Sequence, residues 1–280
     1  MAISNFIPTV WSETLLQQLE SQYVGVAHCN RQFEGDIREK GNKVKICGLN
    51  PIAIGDYSKN LDMNEASTLS DFSTELVIGH AKYFHFQIDD IDRAQTSPDL
   101  MTYAIKNAAN RLAMVADKAV FDLYEYATNK RTFESVTAEN VIDKLLNVRT
   151  MLLEKNVFNP EDIVIEVTPK IAELIIRGKA GLSGDAGNAL ETGCIGNIAG
   201  CKVYTSNNLI WTGGDPDPEL HQCIVRTKRA VAFAEQLSEI EAYRPERRFA
   251  DAVKGLYLFG CKIVCPDEFV AVELSVDPGV

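Results

Sequence analysis

The 280-residue sequence predicts an α+β fold strung on one long helix, and three stretches carry that expectation. Ser97 to Asn129 reads as a single helix, uninterrupted by glycine or proline once started. Arg31 to Asp92 breaks into strand-like fragments joined by polar, glycine-bearing connections. From Ala138 onward, helical and strand-like patterns alternate as in a compact α/β unit. A hydrophobic content of 46% fits a folded soluble protein long enough for two domains or one elaborated domain.

The helix comes first because the other elements are shorter. Ser97 can cap free amides, Pro98 at the first helical position loses no useful donor, and Asp99 suits the positive end of the dipole. Met101, Ile105, Ala108, Leu112, Val115, Ala119 and Leu123 recur at steps of three and four, which predicts one buried face. About 31 residues at 1.5 Å rise would span roughly 46 Å, which reads as a beam, with an ordinary core helix as the alternative.

Ahead of it, residues 1 to about 30 read as an arm: an extended piece, then a short helix from Thr14 to Ser21 ending before Gly25. The excursion from Arg31 to Asp92 offers strands at Lys43 to Cys47, Leu76 to Ile78 and Tyr83 to Ile88, where alternation predicts a hairpin with two usable faces. Apolar positions between Gly48 and Ser73 are few, so the excursion is expected to rest on another surface, such as a neighbouring subunit.

After the beam, Val141, Leu145, Val148 and Leu152 predict a helix over 138–155 with Thr137 as its cap. Asp162 to Val167 predicts a buried strand, and Thr168-Pro169 opens a helix over 170–177. Seven glycines between Gly178 and Gly200 predict a mobile loop, followed by a strand from Lys202 to Thr205. Gln222 to Leu237 mixes strand and helix signals. At the end, Gly255 and Gly260 read as breaks, with strands at Cys261 to Cys265 and Phe269 to Val276.

Chemistry is sparse. A net charge of −11 argues against a nucleic-acid groove. No run approaches the 18 or so apolar residues of a membrane span, and the start lacks a signal peptide's basic and apolar regions, so the chain is expected in the cytoplasm. Seven cysteines (Cys29, Cys47, Cys194, Cys201, Cys223, Cys261, Cys265) are an odd count and read as buried thiols. His28, His80, His85 and His221 give no zinc spacing. His28-Cys29 is the one candidate base and nucleophile pair, but adjacent side chains diverge in regular structure. His80 and His85 are expected to be exposed or interfacial, Asp89, Asp90 and Asp92 a solvated acidic corner, and Tyr83 to Phe86 interface packing. No catalytic, cofactor-binding or metal-binding residues are therefore expected.

The order of these parts resembles the major capsid proteins of tailed bacteriophages, of the Hong Kong ninety-seven type. Two stretches carry the resemblance: Gly196 to Leu209, a glycine, then a strand, then Ser206-Asn207, and Tyr83 to Asp92 running into the capped helix. It implies an N-terminal arm (1–30), an extended β-hairpin loop (31–92), a peripheral domain with the spine helix (93–135 and 245–280) and a central axial α/β domain (136–244). The implied function is a structural major capsid protein that self-assembles as pentamers and hexamers into an icosahedral shell around the phage's double-stranded DNA. An acidic wall would let that DNA slide rather than stick. The implied partners are copies of itself, a portal and a separate scaffolding protein. Some members cross-link through lysines, yet Lys43, Lys45, Lys59 and Lys82 match no such motif. The alternatives are a cellular nanocompartment shell of encapsulin type and a cytoplasmic thiol hydrolase using Cys29 or another thiol.

Overall fold

The computed structural model describes residues 8–32, 43–49, 59, 71–90, 100–157, 162–180, 194–214 and 217–277. Helix α1 spans Pro8–Gln22, longer than the predicted Thr14 to Ser21, and starts on a proline that the first turn tolerates. It is no free arm: Leu15 and Leu19 are fully buried with Tyr23 in one core with the spine helix. A 3-10 turn, Val26–His28, follows.

Strands β1 (Lys43–Leu49) and β2 (Asp71–Val77) pair antiparallel in register from Lys43↔Val77 to Leu49↔Asp71. Their base does not wait for another subunit. Val44, Ile46, Leu76 and Ile78 are buried against Ala232, Ala234 and Leu258 of the same chain. Most of the remaining stretch between Gly48 and Ser73 lies outside the described residues. Strand β3 (His80–Asp89) is one strand rather than the predicted hairpin, because its whole length pairs with a strand 160 or more residues away.

The spine helix, α2, spans Leu100–Phe121 and tightens into a 3-10 segment, Asp122–Tyr126. Its capping residues Ser97 to Asp99 lie outside the described residues. The predicted helix to Asn129 overshoots: Asn129 opens β4 (Asn129–Phe133), and its Nδ2 donates to the carbonyls of Pro266 and Phe269 at 2.8 and 3.4 Å. The buried face is also rotated. Ile105, Ala109, Leu112, Ala113, Ala116 and Val120 are buried, while Val115 is exposed. Small alanines at 109, 113 and 116 let α1 approach closely, so the contact face lies to one side of the spacing that included Val115.

Helix α3 (Val141–Glu154) buries the four predicted positions completely. Thr137 does not cap it through its hydroxyl; Asn140 Oδ1 accepts from the Thr137 amide at 2.9 Å. Strand β5 (Ile163–Val167) and helix α4 (Pro169–Ala180) follow as predicted, with α4 running through Gly178, not a loop glycine. A Cβ there would collide with the Ala138 carbonyl, so Gly178 serves close packing. Strands β6 (Cys194–Ile198) and β7 (Cys201–Thr205) are joined by Ala199 and Gly200, both at positive φ, a two-residue hairpin turn. Then come β8 (Trp211–Gly214), β9 (Asp217–Thr227), β10 (Val231–Tyr243), β11 (Ala250–Ile263) and β12 (Phe269–Val276). The ambiguous Gln222 to Leu237 is thus two strands and a turn. Gly255 and Gly260 do not break β11: a Cβ at Gly255 would strike the Phe84 ring and one at Gly260 the Val77 carbonyl. They are places of close approach across the sheet.

Strand order is β10-β11-β3 in one sheet and β4-β12-β9-β5-β7-β6 in the other, with β8 paired to β9. Alternate residues divide the large sheet's faces. Ile224, Phe269 and Ala271 join α1 and the spine helix in one core, while Cys223, Val225, Val270 and Val272 join α3 and α4 in another. The sheets cut across the expected chain division: β4 and β12, grouped with the spine, lie in the large sheet with β5, while β10, grouped with residues 136–244, pairs with β11.

Candidate functional site

Two charged residues inside otherwise apolar strands join the layers. In β5 (IVIEV) and β9 (…CIVRT), Glu166 and Arg226 are both fully buried. Arg226 donates from Nε and Nη2 to the two Glu166 carboxylate oxygens at 2.9 and 2.8 Å, the bidentate geometry of a strong pair. The rest of its fork reaches Gly25 O at 2.7 Å and His28 O at 2.8 Å. Burial alone would lower the Arg226 pKa, and Glu166 and Cys29 together more than reverse it, so the guanidinium stays charged. A second cluster ties the same segment to the small sheet: Glu235 accepts from Tyr23, from Tyr257 at 2.5 Å and from Arg31 at 2.5 Å. Neither cluster was singled out in the sequence, although one charge in each of two apolar strand runs is the signal that would have found the first.

His28 and Cys29 are brought to this hub but not as a catalytic pair. The His28 ring lies against Tyr204, centroids 4.1 Å apart, with Nδ1 at 2.8 Å from the Val24 carbonyl, and burial lowers its pKa. Burial pushes the Cys29 thiol up to about 11, and its hydrogen points at the Gly25 carbonyl. A protonated thiol without an adjacent base is no nucleophile. Cys201 and Cys223 are also buried and free, and Cys261 and Cys265 are partly buried and free. His221 is buried, with Nδ1 at 3.0 Å from Thr168 Oγ1 and Nε2 at 3.1 Å from Glu219. Among the described residues no cluster of His, Cys, Asp and Glu is placed to hold a metal, and no helix is long and apolar enough to cross a membrane. Asp90 pairs with Arg244, and Asp92 lies outside the described residues.

The surface offers more. A groove of about 520 Å³ runs between β3 and the spine helix, lined by Lys82 to Phe86 on one side and by Ala104, Asn107, Ala108, Arg111, Leu112 and Val115 on the other. Tyr83 on its strand side is 79% exposed, and the helix also exposes Tyr103, Met114 and Val115. On the outer face of the sheet, His85 is exposed as expected and hydrogen-bonds the Tyr243 hydroxyl at 2.8 Å, while Lys254 lies over the Tyr243 ring and pairs with Glu241. Exposed aromatic side chains such as Tyr83 and Tyr103 suit protein contact. Of the lysines considered for cross-linking, Lys43 is engaged with Glu75 at 2.8 Å.

No protein-family model and no curated protein sequence matches the chain. Solved structures do. A chain from Mycobacterium phage Che8 is 31% identical over 97% of this chain and 98% of its own, with a TM-score of 0.70. The capsid of Ralstonia phage GP4 follows the fold over 94% of this chain and 92% of its own, at 11% identity and a TM-score of 0.67. A virus-like particle from Pyrococcus furiosus does so over 93% and 96%, at 11% identity and a TM-score of 0.54. The architecture is therefore that of capsid shell chains. With 31% identity over nearly the whole of both chains, this protein belongs to the family of the Mycobacterium phage Che8 chain.

Proposed function

We propose that the chain assembles with copies of itself, as pentamers and hexamers, into an icosahedral shell of the Hong Kong ninety-seven type that encloses a double-stranded DNA genome. The observation that carries this is the groove between β3 and the spine helix, with Tyr83 79% exposed on its strand side, on a chain that follows phage capsid folds over nearly its full length. The part of the excursion between the paired ends Leu49 and Asp71 is proposed to reach a neighbouring subunit, beyond the base that packs at home. The domain proposal is adjusted to the sheets: the spine helix with β10-β11-β3 forms the peripheral domain, and the large sheet with α3 and α4 forms the axial domain. The net charge of −11 suits a wall that holds DNA without binding it. The shell is a component of the virion, built in the host cytoplasm, with a portal and a separate scaffolding protein as partners. The protein's role is structural rather than enzymatic.

Size-exclusion chromatography of the expressed chain tests this. Elution as capsomers or megadalton particles supports the shell, and elution as a small oligomer with hydrolytic activity supports an enzyme. Nuclease-protected DNA inside virion particles separates a genome container from a protein-filled nanocompartment.

A further inference from the structure

The small sheet guards one edge and leaves the other open. At the start of β10, Asn30 donates its N–H to the Val231 carbonyl at 2.8 Å and accepts from the Phe233 N–H at 3.0 Å. The opposite edge is β3, and no strand among the described residues lies beyond it. This edge is ten residues long, lacks proline, and pairs with β11 from Phe259↔His80 to Ala250↔Asp89 without a register shift. By contrast, β10 slips against β11 between Leu237 and Glu239. No residue of β3 is buried, although Phe84 and Phe86 lean on the core. Edge strands are commonly shortened, bulged or broken by proline, because a bare row of amides and carbonyls is a template for another strand.

Which groups face outward follows from the pairing. The Asp90 N–H donates to the Phe249 carbonyl at 3.0 Å, one step beyond the last ladder pair. Backbone groups alternate along an antiparallel strand, so the even-numbered residues from His80 to Ile88 bond β11, while Ala81, Tyr83, His85 and Gln87 turn theirs away. Those outward amides and carbonyls have no partner among the described residues.

The side chains fit a second β3 running antiparallel across a two-fold, where residues of the same face must stand opposite each other. With Phe86 on the axis, Phe86 meets its copy, Phe84 meets Ile88, and Lys82 meets Asp90, the carboxylate that Arg244 also engages. On the outer face His85 meets Gln87 and Tyr83 meets Asp89, a phenol facing a carboxylate. Moving the axis to His85 sets Lys82 against Ile88, and moving it to Gln87 sets Phe84 against Asp90. Only the register centred on Phe86 matches apolar with apolar and cation with carboxylate.

We propose that the open edge of β3 pairs with β3 of a second copy of this chain across a two-fold, joining two three-stranded sheets into one. Such a contact closes on itself: both bare edges are used and none is left for open-ended stacking. The inference rests on the reading that the chain assembles with its own copies, and it supplies the two-fold that an icosahedral shell needs between neighbouring capsomers.

Residue-resolved hydrogen exchange on the dissociated full-length chain and on its assemblies tests it. The Tyr83, His85 and Gln87 amides should gain about tenfold protection or more on assembly, while Phe84 and Phe86, already bonded to β11, should change little. Gln87→Pro removes an outward N–H that β11 does not use, a change an edge strand tolerates. It should fold, assemble poorly and lose the gain at Tyr83 and His85, whereas Gln87→Ala should behave as the parent. Lys82→Glu, which faces Asp90 with a like charge, should weaken association roughly tenfold. Assemblies in which the three outward amides exchange as in the dissociated chain overturn the inference and leave the shell standing, as does a folded Gln87→Pro protein that assembles normally. A chain that never self-associates overturns both. The exchange comparison in the parent decides the matter even if Gln87→Pro fails to fold.

Discussion

Arg226 shows how much one residue organises. Arg226→Met should leave Glu166 as an unpaired carboxylate at zero exposure and free two carbonyls, costing about 3–5 kcal/mol. Denaturant unfolding reads this, and the double variant Glu166→Met with Arg226→Met should lose less than the single one. Equal losses would mean that the ion pair is not what the arginine supplies. Two glycines make a matched pair at the same scale. Gly178→Ala drives a methyl into the Ala138 carbonyl, backbone that cannot swing aside, and should cost about 1–3 kcal/mol. Gly79→Ala meets nothing within 4 Å and should stay within about 0.5 kcal/mol of the parent. Thermal unfolding of the two side by side decides whether close approach, rather than generic glycine flexibility, fixes Gly178.

Among the elements, the spine helix bears on every layer. Ala113 is 1% exposed in its middle, and Ala113→Pro should remove a hydrogen bond and clash with the preceding turn, costing about 3 kcal/mol or more. Insoluble protein is the expected outcome, and soluble, cooperatively folding protein would show that the helix is not continuous there. What was legible in the sequence follows the range of the information. Strand β12 and the core face of α3 were read directly because alternation and helical spacing are local patterns that survive folding. The continuity of β11 was not, since Gly255 answers to a Phe84 ring that arrives from about 170 positions earlier. The end of the spine helix depends in the same way on Asn129 meeting Pro266 and Phe269. The Glu166 and Arg226 hub stayed hidden because a lone charge in an apolar run reads as an exception until its partner strand is known. The alternation of Tyr83 to Phe86 was legible too, and it turns Phe84 and Phe86 onto the chain's own core while Tyr83 and His85 face outward.

At the scale of the whole molecule, the excursion is proposed to reach a neighbouring subunit. Leu49 and Asp71 are the last paired residues of β1 and β2, so replacing residues 49–71 by a short Gly-Ser linker leaves most of the paired base in place. That variant should remain folded by circular dichroism and fail to close shells, since a stable contact needs about 800 Å² per partner and the linker supplies none of the excursion's surface. Normal shells from it would remove the excursion from assembly, and global unfolding would place it in the subunit's own core. The most direct measurement is an electron cryomicroscopy reconstruction of particles formed by the full-length chain. It should show a closed icosahedral shell of pentamers and hexamers in which Tyr83 and Tyr103 are covered by a neighbouring subunit. Small open oligomers, or a closed shell that leaves both tyrosines in solvent, would contradict it.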